Sequence, residues 1–232
     1  MKTIISEQKL LYDNAARNLA GILRKKPDAV LALSAEREML PLYARLAEMC
    51  RSGEICMDKA RVFALAEYVG ADEKLSCRAV LEENLVKPCA VREENFHIPN
   101  PQSPAEYDVA ISECGGIDIS LVDIGDKGQL AFNEPSTPYA SGTRLQKLSA
   151  DARRQRAEYF GGADKVPEQA VTMGIKTIID AKEILLIAVG PEKAHAVYKM
   201  LYGRNDSVIP AAFLQIPLNV NIYLDEQASS EL

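Results

Sequence analysis

A continuous apolar run near the end of the chain restricts the fold more than any other stretch. Residues 183–189 read EILLIAV, with no polar residue after the first. A run without alternation is typical of a β-strand buried on both faces, and such strands belong to parallel sheets that helices cover. Gly190 and Pro191 end the run, and residues 192–201 then show helical spacing. This stretch predicts strand, turn and helix in succession, the repeating unit of an α/β fold.

The same alternation recurs along the rest of the chain. Apolar runs predict further strands at residues 29–33, within 61–69, at 117–124 and at 220–224. Apolar residues at helical spacing predict helices at residues 6–26, 39–50 and 76–86. We therefore expect an α/β fold with a single doubly wound, mostly parallel sheet and helices on both faces, in one domain spanning residues 1–232.

One polar segment is predicted as an additional helix. Residues 144–159 include four arginines and few large apolar side chains. Their spacing predicts a helix whose charged face is solvated.

The predicted fold also indicates where a functional site should lie. In a doubly wound sheet, ligands bind beyond the carboxyl ends of the strands. The loops after Leu33, Leu65, Ile124 and Val189 are therefore the expected location of the chemistry.

Charge and cysteine content exclude several classes of function. The chain has 27 Lys and Arg against 33 Asp and Glu, a formal net charge of -6, so it has no overall positive field to attract nucleic acid or anionic lipid. Its five cysteines include no CxxC pair, which favours reduced thiols and a cytoplasmic protein. The N-terminus does not fit a signal peptide, and no apolar run reaches the roughly 18 residues of a membrane span.

Four motifs in fixed order resemble a known family. They are GGID at residues 115–118, IGDKGQLAFNEP at 124–135, TMGIKTIIDAKEILLIAVGPEKAHAV at 172–197 and LQIPLNVNIYLDE at 214–226. The aminosugar-6-phosphate (glucosamine-6-phosphate and galactosamine-6-phosphate) isomerase/deaminase family has similar pieces, which read roughly GGID, GIGxDGHIAFNEP, TMGIGTIxDAxEVLLLAxGxxKA and LQxHxxVxxxxDExA. FALAEYVG at residues 63–70 is similar to the family's FxLDEYVG, so the resemblance covers nearly the whole chain.

The resemblance implies a Rossmann-like fold and a place in carbohydrate metabolism. Members of this family interconvert a ketose phosphate plus ammonia with an aminosugar phosphate. In them a His held by carboxylates opens the sugar ring, an Asp moves a proton at the carbon beside the carbonyl, and a helix N-terminus grips the phosphate.

The family's proton-transferring Asp corresponds to Ala66 in this chain. Proton transfer by a placed base contributes about a hundred- to ten-thousand-fold to a rate, and a methyl group takes up no proton. Glu67 lies one residue further along the predicted strand, so its side chain should point to the opposite face. The resemblance therefore implies severely impaired isomerisation, with rescue by Glu67 as an open alternative.

The residues that would open the sugar ring are replaced as well. The family's Asp and His fall on Lys127 and Gln129, while Glu134 matches the family's Glu. A glutamine amide hydrogen-bonds a ring oxygen but does not titrate, so we expect ring opening to be lost or performed differently. Asp126 would take part if the turn shifted. Glu134 is interpreted either as a ligand contact or as a capping residue of its turn.

The segment that matches the family's phosphate loop, TGSTP, reads AEREM at residues 35–39. Glu36 and Glu38 are favourable at a helix N-terminus but repel a phosphate dianion. We therefore interpret the segment as a helix start that these carboxylates cap.

The family's Arg in an ARFF-like segment falls on Glu158, a further reversal of charge. Lys193 is either a retained phosphate-side cation or a solvated residue, and Arg144 is a second candidate phosphate ligand.

Metals and organic cofactors are not expected. No cluster of His, Cys and Asp has metal-ligand spacing, and neither GxGxxG nor GxxxxGK[ST] follows a predicted strand.

Three hypotheses follow from the sequence. The first is a divergent isomerase/deaminase-like protein whose ancestral activity is weak or absent; in any residual reaction Asp126, Lys127, Gln129 and Glu134 would line the pocket. The second is a non-catalytic, sugar-phosphate-binding or regulatory pseudoenzyme. The third is a 6-phosphogluconolactonase-type hydrolase, against which Gln129 and the acidic turn count. The expected partner is a sugar phosphate or a related small anionic metabolite, and a homo-oligomer is left open.

Overall fold

The computed structural model describes residues 1–232, and strands alternate with helices along most of the chain. The strands, numbered in chain order, are β1 Lys2–Ile5, β2 Val30–Leu33, β3 Arg61–Ala64, β4 Ala66–Tyr68, β5 Phe96–His97, β6 Ile119–Asp123, β7 Arg144–Lys147, β8 Gln169–Thr172, β9 Glu183–Ala188 and β10 Val220–Leu224. The α-helices are α1 Gln8–Lys25, α2 Leu40–Arg51, α3 Cys77–Leu81, α4 Pro104–Glu113, α5 Ala150–Gln155, α6 Ala157–Phe160, α7 Ile175–Ile179 and α8 Ala194–Tyr202. None of these helices is both long and apolar enough to cross a membrane.

Seven strands form one entirely parallel sheet in the order β1-β10-β9-β6-β2-β3-β5. Two apolar clusters cover its faces. One packs α1 and α2 against Leu31 and Leu33, and the other packs α4, α7 and α8 against the side of the sheet that carries Val30 and Ala32. Successive side chains of β2 thus enter opposite cores, because side chains alternate along a strand. The predicted doubly wound, mostly parallel α/β fold is confirmed.

The direction of winding reverses between β2 and β6. From β2 the chain proceeds outward through β3 to β5, returns to place β6 on the other side of β2, and continues to β9 and β10. The loops that leave the carboxyl ends of β2 and β6 therefore diverge, and a crevice opens between them. Two of the loops identified in the sequence, those after Leu33 and Ile124, border this crevice.

Residues 144–159 do not form the single helix that their polar spacing predicts. Arg144–Lys147 is strand β7, which pairs antiparallel with β8 in a second sheet of order β4-β8-β7. Helix is limited to α5 and α6. Ser149 caps α5 by accepting a backbone N–H (3.1 Å), and Gly161 ends α6 in the left-handed region at φ 72°. Pairing with Gln169–Thr172 overrides the helical pattern, because strand preference depends on a partner strand that the local sequence does not contain.

The predicted strand within residues 61–69 is divided between the two sheets at Leu65. The Leu65 amide donates to the Leu33 carbonyl in the large sheet (3.0 Å), and the Leu65 carbonyl accepts from the Met173 amide (2.7 Å). β3 ends just before this residue and β4 begins just after it. The small sheet is therefore anchored at the carboxyl ends of the central strands, beside the crevice.

Candidate functional site

A cavity of about 490 Å³ opens at the carboxyl ends of the central strands. Its walls come from the loop after β2, strand β4, helix α3, the α5–α6 segment and Val189 after β9. A wider groove of about 700 Å³ runs between α1 and α2, but mainly polar side chains on the outer helix surfaces line it. The strand-end cavity is the candidate site because polar groups from several loops converge on it.

Two carboxylates on the loop after β2 contact cations from distant parts of the chain. Glu36 Oε1 accepts a hydrogen bond from the guanidinium of Arg156 (2.7 Å), and Glu38 Oε1 lies 3.4 Å from Lys193 Nζ. Neither the 3-10 turn Arg37–Met39 nor α2 has a side-chain cap at its N-terminus. The expected self-capped helix start is therefore wrong. These carboxylates pair instead with cations from distant parts of the chain, which the local sequence does not reveal.

Lys193 is buried at this position and is not a solvated helix residue. Its side chain is 9% exposed. Burial alone would lower the pKa of Lys193, but the negative charges of Asp123, Glu38 and Asp126 outweigh burial and raise it. The ammonium group therefore stays charged, and acidic neighbours of this chain supply its counter-charge.

Asp123, which the sequence analysis did not single out, ends β6 at the centre of this charged cluster. Its carboxylate accepts a hydrogen bond from Ser34 Oγ (2.7 Å). Burial, followed by the neighbouring charge of Glu36, raises the pKa of Asp123 to about 6, and Lys193 opposes this rise. The available signal was an acid at the carboxyl end of an apolar strand, where ligands bind in this class of fold.

Arg156 is the second residue that sequence reasoning missed. Its side chain is 14% exposed and its guanidinium lies 4.7 Å from the centre of the Phe132 ring. Burial lowers the pKa of Arg156, but Glu36 and other nearby groups raise it by more. The Nε atom is buried without a hydrogen-bond partner. Nothing in the sequence distinguishes this arginine from Arg153 and Arg154, because only its contacts across the fold set it apart.

The Gln129 amide is engaged at both of its polar atoms. Its oxygen accepts from the Lys127 amide (3.0 Å), and its nitrogen donates to the Gln155 side chain (3.2 Å), which in turn donates to Asp126 (2.9 Å). A Cβ atom on Gly125 would come within 2.1 Å of the Gln129 side chain, so this close approach requires glycine. The glutamine is held against the loop and against α5.

The residues predicted to line a catalytic pocket are neighbours, but little space lies between them. Lys127, Gln129 and Glu134 line a cavity of only about 20 Å³ together with α5. This volume holds about one water molecule and no sugar ring. Lys127 Nζ is paired with Asp151 of α5, and Gln155 separates this small cavity from the larger one, since it lines both.

Glu134 and Arg144 contact protein groups in nearby turns. Glu134 Oε1 accepts from the Ser149 amide at the start of α5 (3.0 Å). Arg144 donates to Asn133 Oδ1 (2.8 Å), and burial lowers its pKa. Arg144 is not among the residues that line the 490 Å³ cavity.

Ala66, Glu67 and Glu158 lie at three different places around the site. Ala66 is 7% exposed and packs in an apolar cluster with aromatic rings. The Glu67 carboxylate accepts two backbone N–H groups at the start of α3 (3.0 and 2.8 Å), and burial raises its pKa although these bonds oppose the rise. Glu158 is exposed and lies in the wall of the larger cavity. No group of three or more His, Cys, Asp or Glu side chains is arranged to hold a metal ion.

Sequence comparisons match nearly the whole chain. The family model described as glucosamine-6-phosphate isomerases/6-phosphogluconolactonase matches residues 7–221. The glucosamine-6-phosphate deaminase of Streptomyces coelicolor is 36% identical over 238 residues, which cover 99% of this chain and 91% of that protein. The enzyme of the same name from Clostridium botulinum is 32% identical over 241 residues, covering 100% and 97%.

Solved structures match the fold equally broadly. A monomeric glucosamine-6-phosphate deaminase superposes with a TM-score of 0.96 at 31% identity, and the match covers 100% of both chains. The 6-phosphogluconolactonase from Leishmania guyanensis superposes with a TM-score of 0.77 at 17% identity, over 100% of this chain and 98% of that one. At this lower identity the second likeness concerns the fold alone.

Proposed function

Because the chain belongs to the family of glucosamine-6-phosphate isomerases and 6-phosphogluconolactonases, we propose that it binds a sugar-type ligand in the strand-end cavity and performs isomerisation and deamination weakly or not at all. The observation that carries this proposal is the pair Ala66 and Gln129, which stand where the family resemblance puts the proton-transferring acid and the ring-opening histidine. A protein with this pair retains the family's fold without its two proton carriers.

Ala66 supports the loss of proton transfer for two reasons. Its methyl group has no titratable atom, and its surroundings are an apolar cluster that leaves it 7% exposed. The adjacent carboxylate of Glu67 is occupied by backbone N–H groups of α3. Losing a placed general base costs about a hundred- to ten-thousand-fold in rate.

Gln129 supports the loss of ring opening. A glutamine amide carries no exchangeable charge near neutral pH, and both polar atoms of this amide already have partners in the protein. Asp126 does not line the larger cavity, and its carboxylate accepts a hydrogen bond from Gln155 (2.9 Å). Asp123 has a raised pKa, but it does not line the cavity and is bonded to Ser34.

A lactone hydrolase is supported less well. Such a reaction needs a histidine in the pocket and free cations for the phosphate. His97 stacks on Phe63 with ring centres 4.3 Å apart, and His195 is exposed and bonded to Glu231. Neither histidine lines the 490 Å³ cavity, and two of the three cations in or beside it, Arg156 and Lys193, are paired with glutamates.

An ammonia-release assay tests the proposal. Purified protein is incubated with glucosamine 6-phosphate and with galactosamine 6-phosphate, and the Streptomyces coelicolor deaminase serves as the active reference. We expect a rate at least a thousandfold below that of the reference, because the general base and the ring-opening acid are both absent. A rate within tenfold of the reference would overturn the proposal. In that case, Asp123→Asn and Asp126→Asn would identify the carboxylate responsible.

A further inference from the structure

We propose that the strand-end cavity binds a sugar ring that carries no phosphate, and that Glu36 and Glu38 of this chain occupy the place of the phosphate. The inference rests on the proposed function, since it names the class of ligand that the same cavity takes. It concerns binding, so it is tested independently of turnover.

The first step is the charge balance at the strand ends. Three cations in or beside the cavity would attract an anionic ligand there: Arg37, Arg156 and Lys193. Arg156 and Lys193 each already have a glutamate partner on the loop after β2, at 2.7 Å and 3.4 Å respectively, and the Arg37 guanidinium lies over a tyrosine ring. Asp123 and Glu158 bring the carboxylates to four, so negative charges outnumber positive ones in this cluster. An incoming phosphate dianion would have to displace both glutamates or accept their repulsion.

The second step is the unsatisfied donor in the cavity wall. The Nε–H of Arg156 is buried without a partner, although its guanidinium also donates to Glu36. Buried donors in native proteins almost always have an acceptor, so an unpaired one at a cavity points to an acceptor atom on a ligand. A sugar hydroxyl is such an acceptor, and it enters without bringing a charge.

The third step is the composition of the remaining wall. Glu36 and Glu158 offer carboxylate oxygens that accept hydrogen bonds, while Tyr12, Tyr68 and Tyr159 supply aromatic surface in the same cavity. Hydroxyl groups both donate and accept, so one ring satisfies the carboxylates and the guanidinium at the same time. The apolar faces of a sugar ring pack against aromatic side chains. The volume of about 490 Å³ lies within the usual range of small-molecule sites, about 300–1,000 Å³.

Matched pairs of sugars test this assignment on the unaltered protein. Isothermal titration calorimetry compares glucose with glucose 6-phosphate, glucosamine with glucosamine 6-phosphate, and galactosamine with galactosamine 6-phosphate. We expect the sugar without phosphate to bind at least tenfold more tightly in the pairs that bind. Tighter binding of the phosphorylated member would overturn the inference while leaving the proposed loss of deamination intact. Absence of binding by all six compounds would also overturn it.

Two variants locate the effect. In Glu36→Gln with Glu38→Gln, the cations lose their internal partners, so the preference should shift by at least tenfold toward the 6-phosphates. Glu158→Gln changes only the exposed rim and should weaken the unphosphorylated sugars at least threefold. Glu54→Gln, which removes a surface ion pair with Arg24 away from the cavity, is the matched control and should change neither affinity. An unchanged preference in a folded double variant would contradict the role assigned to the two glutamates.

Discussion

The proposed loss of proton transfer depends on three residues at the ends of the central strands: Ala66, Gln129 and Asp123. The first offers a methyl group, and the second offers an amide whose oxygen and nitrogen are both bonded within the protein. The third is a carboxyl group with a pKa of about 6. It accepts a hydrogen bond from Ser34 and does not line the cavity. None of the three combines a titratable group with access to a ligand.

Asp123→Asn should stabilise the protein at neutral pH. A pKa raised from 3.8 to about 6 means that the folded state binds the proton more tightly, so stability falls as pH rises through this window. At pH 7.5 the ionised group then costs up to about 3 kcal/mol. Asparagine keeps an acceptor for Ser34 without the charge. We expect a gain of about 1–3 kcal/mol in the free energy of unfolding at pH 7.5, measured by urea denaturation.

Urea denaturation of the unaltered protein and of Asp123→Asn at low pH checks whether the gain in stability comes from the charge. Below about pH 3 aspartic acid is protonated in both states, so the advantage of the variant should disappear. Asp28→Asn is the control, since that side chain is 53% exposed and lies 3.9 Å from Arg61. It should change stability by less than about 0.5 kcal/mol at either pH. A destabilised Asp123→Asn protein at pH 7.5 would mean that the charge of Asp123 is needed to hold Lys193.

Sequence motifs locate some of these residues and not others. Ala66 and Gln129 are identified by position, because the motifs around them keep the family's order and spacing. Arg156 and Asp123 acquire their roles from charges brought together by folding, and the hydrogen bond from Arg156 to Glu36 spans 120 positions of the chain. A local pattern contains no information about such a pair.

At the scale of elements, α5 determines how much of the site is open. Gln155 bonds to Gln129 and to Asp126, and Asp151 pairs with Lys127, so one short helix contacts three residues of the loop after β6. Ser149, which caps the start of this helix, donates its backbone N–H to Glu134 (3.0 Å). The space beside the loop is therefore filled by this helix.

Gln155→Ala should loosen α5 without unfolding the central sheet. The change removes two of the three side-chain hydrogen bonds that join the helix to the loop, each worth about 1 kcal/mol. We expect amide hydrogen exchange to accelerate about tenfold or more in residues 126–129 and 150–155. Exchange in β6 and β9 should be unchanged, because their ladder bonds lie in the core of the parallel sheet.

Lys147→Ala is the control for this experiment. Its side chain is exposed on β7, and the substitution leaves the contacts of α5 in place. Equal acceleration in both variants, or no acceleration in Gln155→Ala, would contradict the role assigned to the Gln155 hydrogen bonds.

At the scale of the whole molecule, the large sheet was predictable and the small one was not. Strands buried on both faces, such as β6 and β9, produce unbroken apolar runs that remain visible in one sequence. Strand β7 reads RLQK, with three polar residues among four, and it pairs only with β8, so its sequence resembles a solvated helix. The bend at Leu65, which divides one apolar stretch between two sheets, likewise depends on partners elsewhere in the chain.

We expect residues 1–232 to unfold as one cooperative domain. The two sheets are joined through Leu65, whose amide and carbonyl are bonded to Leu33 and Met173 respectively (3.0 and 2.7 Å). Urea unfolding monitored by far-ultraviolet circular dichroism and by tyrosine fluorescence should therefore give coincident transitions. Two separated midpoints would mean that the small sheet with α5 and α6 is an independent unit.

Hydrogen exchange at carbon tests the loss of proton transfer most directly. Glucosamine 6-phosphate is incubated with the protein in D2O, and nuclear magnetic resonance follows deuterium incorporation at C2, the carbon beside the carbonyl of the open-chain sugar. With Ala66 and Gln129 in place of the proton carriers, incorporation should be at least a thousandfold slower than with the Streptomyces coelicolor deaminase, which serves as the active reference. Incorporation within tenfold of the reference would contradict the account and would require another base in this chain.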